Sequence, residues 1–240
     1  MIFLNGDPVK PTLFPDNTSQ VWKLDEKHFD KERATILWDF SHESELIHIA
    51  QIKHLLDFYG VERVYLHIEY LPYGRQDKFI SNDATFALWT FGAIVNSLHF
   101  EEIFIMDPHS QIALSVLNKS RAVYPHGPLN RAYFLTRSDI LCYPDKGART
   151  KYSDIYSHYD DFLFGEKVRD QSTGYITSYD LFGDPNHKRV LIVDDICDGG
   201  KTFELLAEQL YSNGAEEVNL FVTHGLFTKG LRPLKNVGIK

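Results

Sequence analysis

The chain has 240 residues, 43% of them apolar, and 25 basic against 33 acidic side chains give a formal charge of −8. A chain of this length buries roughly 70–75% of its unfolded surface as one large or two small domains, which excludes disulfide-scaffold, collagen-like and disordered classes. The acidic balance excludes a general nucleic-acid binder, which needs a sustained basic field, but not a small phosphorylated ligand. Cys142 and Cys197 stand far apart with no CxxC, which fits a reducing compartment and a cytoplasmic protein. No stretch approaches eighteen uninterrupted apolar residues, and the first residues are too short for a signal-peptide core, so no membrane association is expected.

In chain order, Glu45 to Tyr59 places Leu46, Ile49, Ala50, Ile52, Leu55, Leu56 and Tyr59 at helical spacing, with Gly60 as the stop. Val61 to Tyr70 reads as a strand, Ala84 to Leu98 as an apolar helix, and Glu101 to Met106 as a strand closed by Asp107-Pro108. A second set begins near Pro128: helices over Asn130 to Leu135 and Ser153 to Tyr159, and a short strand over Asp161 to Phe164. The clearest strand, Lys188 to Asp194, leads to a helix over Gly200 to Ser212, and Val218 to Thr223 follows as a strand. The alternation predicts mainly parallel sheets flanked by helices, in two α/β domains of roughly 120 residues, 1–127 and 128–240.

The segment Arg189 to Phe203 carries the strongest chemical signal. Five apolar strand residues lead to Asp194 and Asp195, then to a turn with Gly199 and Gly200, then to a helix start at Lys201-Thr202. Parallel sheets bind ligands at the carboxyl ends of their strands, and a glycine turn entering a helix leaves backbone N–H groups facing an anion. The glycines let the main chain approach a phosphate, Thr202 and Lys201 add donors, and the two acids suit sugar hydroxyls or water on a divalent cation. A P-loop is excluded because its first glycine would stand where Asp195 is, and GxGxxG is absent.

Asp194 to Thr202 resembles the 5-phosphoribosyl diphosphate (PRPP) motif shared by type I phosphoribosyltransferases and ribose-phosphate diphosphokinases. Leu71 to Lys78, with Arg75, Gln76, Asp77 and Lys78, is similar to a segment of the diphosphokinases that the transferases lack. Met106-Asp107-Pro108-His109-Ser110-Gln111, Cys142-Tyr143-Pro144-Asp145-Lys146-Gly147 and Thr223-His224-Gly225-Leu226-Phe227 also resemble segments of the diphosphokinases, in the same order and over most of the chain.

The resemblance implies an α/β fold of two phosphoribosyltransferase-like (type I) domains, the first on the ATP side, the second carrying the ribose 5-phosphate loop and a catalytic flap. It implies transfer of the diphosphoryl group of Mg-ATP to ribose 5-phosphate, with Arg75, Gln76, Lys78 and His109 on ATP and with His109 and Asp145 on Mg²⁺. Asp194, Asp195, Asp198, Gly199, Gly200, Lys201 and Thr202 would hold ribose 5-phosphate. Lys167 and Arg169, followed by Gln171 to Gly174 in a mobile flap, would join Asp194 and Asp195 in catalysis. Phe14 and Asp16 match a segment reaching the adenine of ATP in a neighbouring subunit, which implies a homodimer or higher homo-oligomer. The remaining histidines, His42, His48 and His54 among them, read as ordinary polar residues.

Departures from the family are specific. Thr18 replaces an acid, the turn loses one threonine hydroxyl and gains Lys201, and Lys167-Val168-Arg169 stands for a more basic triplet. Both ends are shorter than in long members, which suggests a compact form. The rival expectations are a phosphoribosyltransferase for nucleobase salvage and a catalytically silent regulatory homologue.

Overall fold

The computed structural model describes residues 1–24, 31–159, 161–169 and 176–240, with the backbone alone at 167–169 and 176–179. It forms two compact units, Met1–Tyr124 and Pro125–Lys240.

The first unit runs β1 (Ile2–Leu4), β2 (Asp7–Pro8), β3 (Thr12–Leu13), β4 (Ser19–Gln20), β5 (Arg33–Trp38), α1 (Glu45–Phe58), β6 (Arg63–Ile68), α2 (Ala87–Asn96), β7 (Glu102–Met106), α3 (Ile112–Val116) and β8 (Ser120–Val123). Its sheet has the order β2-β1-β5-β6-β7-β8, parallel from β5 to β8 and antiparallel at β1 and β2. Strands β5 to β8 are neighbours both in sequence and in space, so right-handed crossovers put α1, α2 and α3 on the same face. Burial follows this. Ala34, Ile36, Trp38, Leu66, Ile68, Ile103 and Ile105 pack with Ile49, Ile52 and Leu56 of α1 and with Leu88, Phe91 and Val95 of α2. The alternate residues Thr35, Leu37, Tyr65, His67 and Phe104 stay partly exposed on the opposite face.

The second unit runs α4 (His126–Leu135), β9 (Ile140–Tyr143), α5 (Lys146–Tyr152), β10 (Phe162–Arg169), β11 (Ile176–Phe182), β12 (Arg189–Cys197), α6 (Lys201–Ser212), β13 (Glu217–Gly225) and α7 (Arg232–Asn236). Its sheet order is β11-β10-β9-β12-β13, parallel throughout except for the β10–β11 hairpin. The crossover β9-α5-β10 moves one way along the sheet and β12-α6-β13 the other. Right-handedness therefore puts α5 and α6 on opposite faces, and the direction of winding reverses between β9 and β12. Both faces are covered, so β9 is buried at all four positions and β12 is an almost continuous apolar run up to Val193.

Three expectations change. The predicted helix over Ser153 to Tyr159 is a run of turns, and the helix lies earlier, at Lys146–Tyr152, because the Asp145 side chain accepts from the Ala148 amide (2.9 Å) and starts it there. Strand β12 does not stop at Asp194. It continues to Cys197 because β13 runs beside it, pairing Ile196 with His224 and Cys197 with Gly225. The strands β1 and β8 were not anticipated, being only three and four residues long, and neither was β5.

Candidate active site

In an open parallel sheet the crevice for a ligand lies at the carboxyl ends of the strands where winding reverses, since the loops there diverge to opposite faces. In the second unit that place is between β9 and β12. The chain leaving β9 is Pro144-Asp145, and β12 ends in Asp194 to Cys197 followed by the turn Asp198-Gly199-Gly200. The fold thus sets Asp145 and the Asp194 to Thr202 segment on the two adjacent strand ends that line this crevice.

The turn is built for close approach. Gly200 sits at the N-cap of α6 with φ +81°, a conformation that favours glycine, and a Cβ there would stand 3.0 Å from the Leu234 side chain, which would have to give way. No side chain caps the N-terminus of α6. Behind the turn, the segment after β13 acts as a brace. Leu226 and Phe227 donate their amides to the Cys197 carbonyl (2.9 and 3.1 Å), and the Thr228 hydroxyl donates to Asp198 (2.7 Å). The Thr223 to Phe227 motif therefore acts on the turn through the backbone. Lys201 extends along the helix to Glu204 (3.2 Å). The stem of Lys229 covers Gly199, with Cε 3.4 Å from where a Cβ would be, which places a second cation near the turn that motif reading missed.

The acids differ in their surroundings. Asp194 and Asp195 are consecutive on a strand and so point to opposite faces. Burial, then the charge of Asp195, pushes the Asp194 carboxyl well above the usual carboxylate range, and Asp145 adds to the push. The Asp195 amide donates to the Asp194 carboxylate (2.9 Å), which works the other way. Asp195 is 5% exposed and has Lys151 of α5 beside it. Burial also pushes the Cys197 thiol up to about 11, so this cysteine at the strand end is an inert space-filler.

In the first unit, β6 leads into Leu71-Pro72-Tyr73-Gly74, a turn in which Tyr73 takes φ +62°. Gln76 donates its amide to the Tyr73 carbonyl (2.8 Å) and Leu88, in the first turn of α2, donates to the Gln76 carbonyl (3.2 Å). Arg75, Gln76 and Lys78 are exposed on this anchored loop. The loop after β7 begins at Asp107, buried at 1% exposure with φ +43°, and presents His109 to solvent. The Ser110 hydroxyl donates to Asp77 (2.6 Å), so the fold joins the loop of Arg75, Gln76 and Lys78 to the loop of His109.

Phe14 and Asp16 lie in the β3–β4 hairpin. Phe14 is 38% exposed. Asp16 accepts from the hydroxyl and amide of Thr18 (2.7 and 3.0 Å), which hold its carboxyl below the usual range. Thr18, the departure from the family pattern, closes this turn. Lys167 and Arg169 lie on the β10 backbone opposite Tyr179 and Ile176, and the expected flap residues Gln171 to Gly174 fall outside the described residues. His48, read as an ordinary polar residue, is buried and shares a hydrogen bond with the Ser19 hydroxyl (2.7 Å).

Residues 158–237 match the phosphoribosyl transferase domain family. The chain is 25% identical over 97% of its length to a ribose-phosphate pyrophosphokinase of Saccharolobus solfataricus, covering 81% of that protein. It is 28% identical over 90% of its length to one of Pyrococcus abyssi, covering 76%. The chain is a homologue of the ribose-phosphate pyrophosphokinases. In fold it is similar to the phosphoribosylpyrophosphate synthetase of Mycobacterium smegmatis, with a TM-score of 0.75 over 97% of this chain and 78% of that one at 19% identity. The pyrophosphokinase homologue is therefore an α/β protein of two phosphoribosyltransferase-like domains. Among its described residues, no helix is long and apolar enough to cross a membrane.

Proposed function

We propose that the chain is a ribose-phosphate diphosphokinase that transfers the β,γ-diphosphoryl group of ATP to the C1 hydroxyl of ribose 5-phosphate, giving PRPP and AMP. The observation that carries this reading is the pairing of two constellations in one chain. The second unit places the Asp194 to Thr202 turn and Asp145 at a winding reversal, and the first joins the loop of Arg75, Gln76 and Lys78 to that of His109 through Asp77 and Ser110. A phosphoribosyltransferase would need only the first of these.

In this reading the first unit is the ATP side. Arg75 offers a planar fork to phosphate, Gln76 an amide to the base, and Lys78 a point charge. In the second unit the backbone of Gly199 to Thr202 takes the 5-phosphate, while Asp194 and Asp195 accept from the ribose hydroxyls and orient C1-OH for attack at the β-phosphorus. Lys167 and Arg169 supply positive charge to the diphosphoryl group in flight.

A divalent cation fits the acids present. The charges of Asp195 and Asp145 both oppose ionisation of Asp194, which a cation would relieve. Among the described residues no group of three or more His, Cys, Asp and Glu is arranged to hold a metal alone, which suits Mg²⁺ bound largely through substrate phosphates. His109 and Asp145 would hold it, and it would neutralise charge on the phosphates. Phe14 and Asp16 would reach the adenine in a neighbouring subunit, so the active form is a homodimer or larger, located in the cytoplasm.

The test is direct. Purified protein with Mg²⁺, ATP and ribose 5-phosphate should release AMP and PRPP in equal amounts. A folded sample that releases no AMP sinks the reading, and consumption of PRPP with a nucleobase would replace it with a phosphoribosyltransferase. Sedimentation velocity should show a dimer or larger species.

A further inference from the structure

We propose that Lys151 is a positioning residue: its ammonium group holds the Asp195 carboxylate charged and aimed at the ribose hydroxyls of the acceptor. This deepens the function proposed above and rests on it. Lys151 lies in the last turn of α5, the helix that begins at Asp145, and its Nζ stands 3.8 Å from Asp195 Oδ2. The two side chains are 11% and 8% exposed, and lysine is rarely this buried without an opposite charge beside it. Its Nζ also stands over the Tyr152 ring, 4.8 Å from the centroid, a cation–π contact that restrains the ammonium.

The topology explains why this lysine serves Asp195 and not Asp194. Alternation along β12 puts Asp195 on the same face as Leu191 and Val193, the face that α5 covers, and turns Asp194 to the other. A cation beside a carboxylate favours its charged form. Lys151 gives Asp195 that neighbour, while burial and the charge of Asp195 push the Asp194 carboxyl up. The crevice then presents a defined acceptor before any metal arrives. At 3.8 Å the pair is held by charge and not by a directed hydrogen bond, so arginine should replace lysine where methionine cannot.

The experiment is calorimetric titration of the full chain with ribose 5-phosphate and, separately, with ATP, in Mg²⁺ buffer, for wild type, K151M and K151R. The expected result is ribose 5-phosphate affinity lowered at least about tenfold in K151M and within about threefold of wild type in K151R. ATP affinity should stay within about twofold in both, because ATP is assigned to the first unit. Wild-type affinity in K151M overturns the proposal, and so does equal loss in K151R and K151M, which would show a packing role. Should K151M not fold, K151Q is read in its place. If wild type binds no ribose 5-phosphate, the proposed function falls. Thermal denaturation of K151M, D195N and the double variant then reads the pair without substrate: Tm changes that fail to add support the pairing, and additive changes overturn it.

Discussion

Ser110 donates its hydroxyl to Asp77 at 2.6 Å, and this bond ties the loop after β7 to the loop after β6. Residues 33 apart in sequence thereby become one surface carrying Arg75, Gln76, Lys78 and His109. A hydrogen bond to a carboxylate contributes about 1.5–3 kcal/mol, most of which here goes to ordering exposed loops. Ser110→Ala should raise the KM for ATP about three- to tenfold, leave the KM for ribose 5-phosphate within twofold, and change the Tm little. Steady-state kinetics with each substrate varied in turn checks this.

Asp194 gives a pH prediction of unusual sign. Its folded-state carboxyl is raised well above the ordinary aspartate value of 3.8, so the unfolded chain gives up this proton first. The stability it contributes is complete below pH 3.8 and is lost as pH rises through the raised folded value. Asp194→Asn should raise the Tm at pH 7–8 in EDTA, flatten its dependence on pH, and lower turnover by at least about tenfold. Melting curves across pH without metal read the first two effects.

Glu45 behaves in the opposite way. Burial pushes its carboxyl up, but the amide and hydroxyl of Ser41 and the indole of buried Trp38 all donate to it and hold it at about 2. This stability is present above pH 4.5 and is lost as pH falls toward 2. Glu45→Gln should cost about 1–3 kcal/mol at pH 7 and nothing measurable below pH 2. Urea denaturation at several pH values tests it.

Gly200→Ala should be severe for its size. The residue needs φ +81°, and a Cβ would press on Leu234 at 3.0 Å. The left-handed backbone alone costs a side chain about 1–2 kcal/mol. The turn should shift, ribose 5-phosphate affinity should fall at least about tenfold, and ATP affinity should hold. Calorimetry with both ligands separates these.

Lys167→Ala and Arg169→Ala should lower kcat by orders of magnitude with ATP affinity largely intact, since charge placed on a group in transfer acts in the transition state. A near-normal rate in either variant would remove that residue from catalysis. Single-turnover measurement of AMP release gives the value.

The apolar periodicity of α1, α2 and α6 and the runs of β6, β7 and β12 were legible because each is long enough to show its period. So was the chemistry of Asp194 to Thr202, where strand, acids, glycines and helix start are contiguous and depend on local backbone geometry alone. Short elements were not. β8 has four residues, and α5 owes its start to the Asp145 cap, a bond no composition shows.

Non-local placement lay wholly with the tertiary structure. The sequence determined that a phosphate-binding turn follows β12. It did not determine that winding reverses between β9 and β12, because strand order follows from packing among segments up to 50 residues apart, such as Asp139 and Arg189, whose bonds align the starts of β9 and β12. That reversal sets Asp145 next to the turn, and strand alternation with the side chosen by α5 gives Asp195 its lysine. Contiguous residues carried the type of chemistry; the order of strands, set by the right-handed crossover and burial of both faces, decided which groups meet.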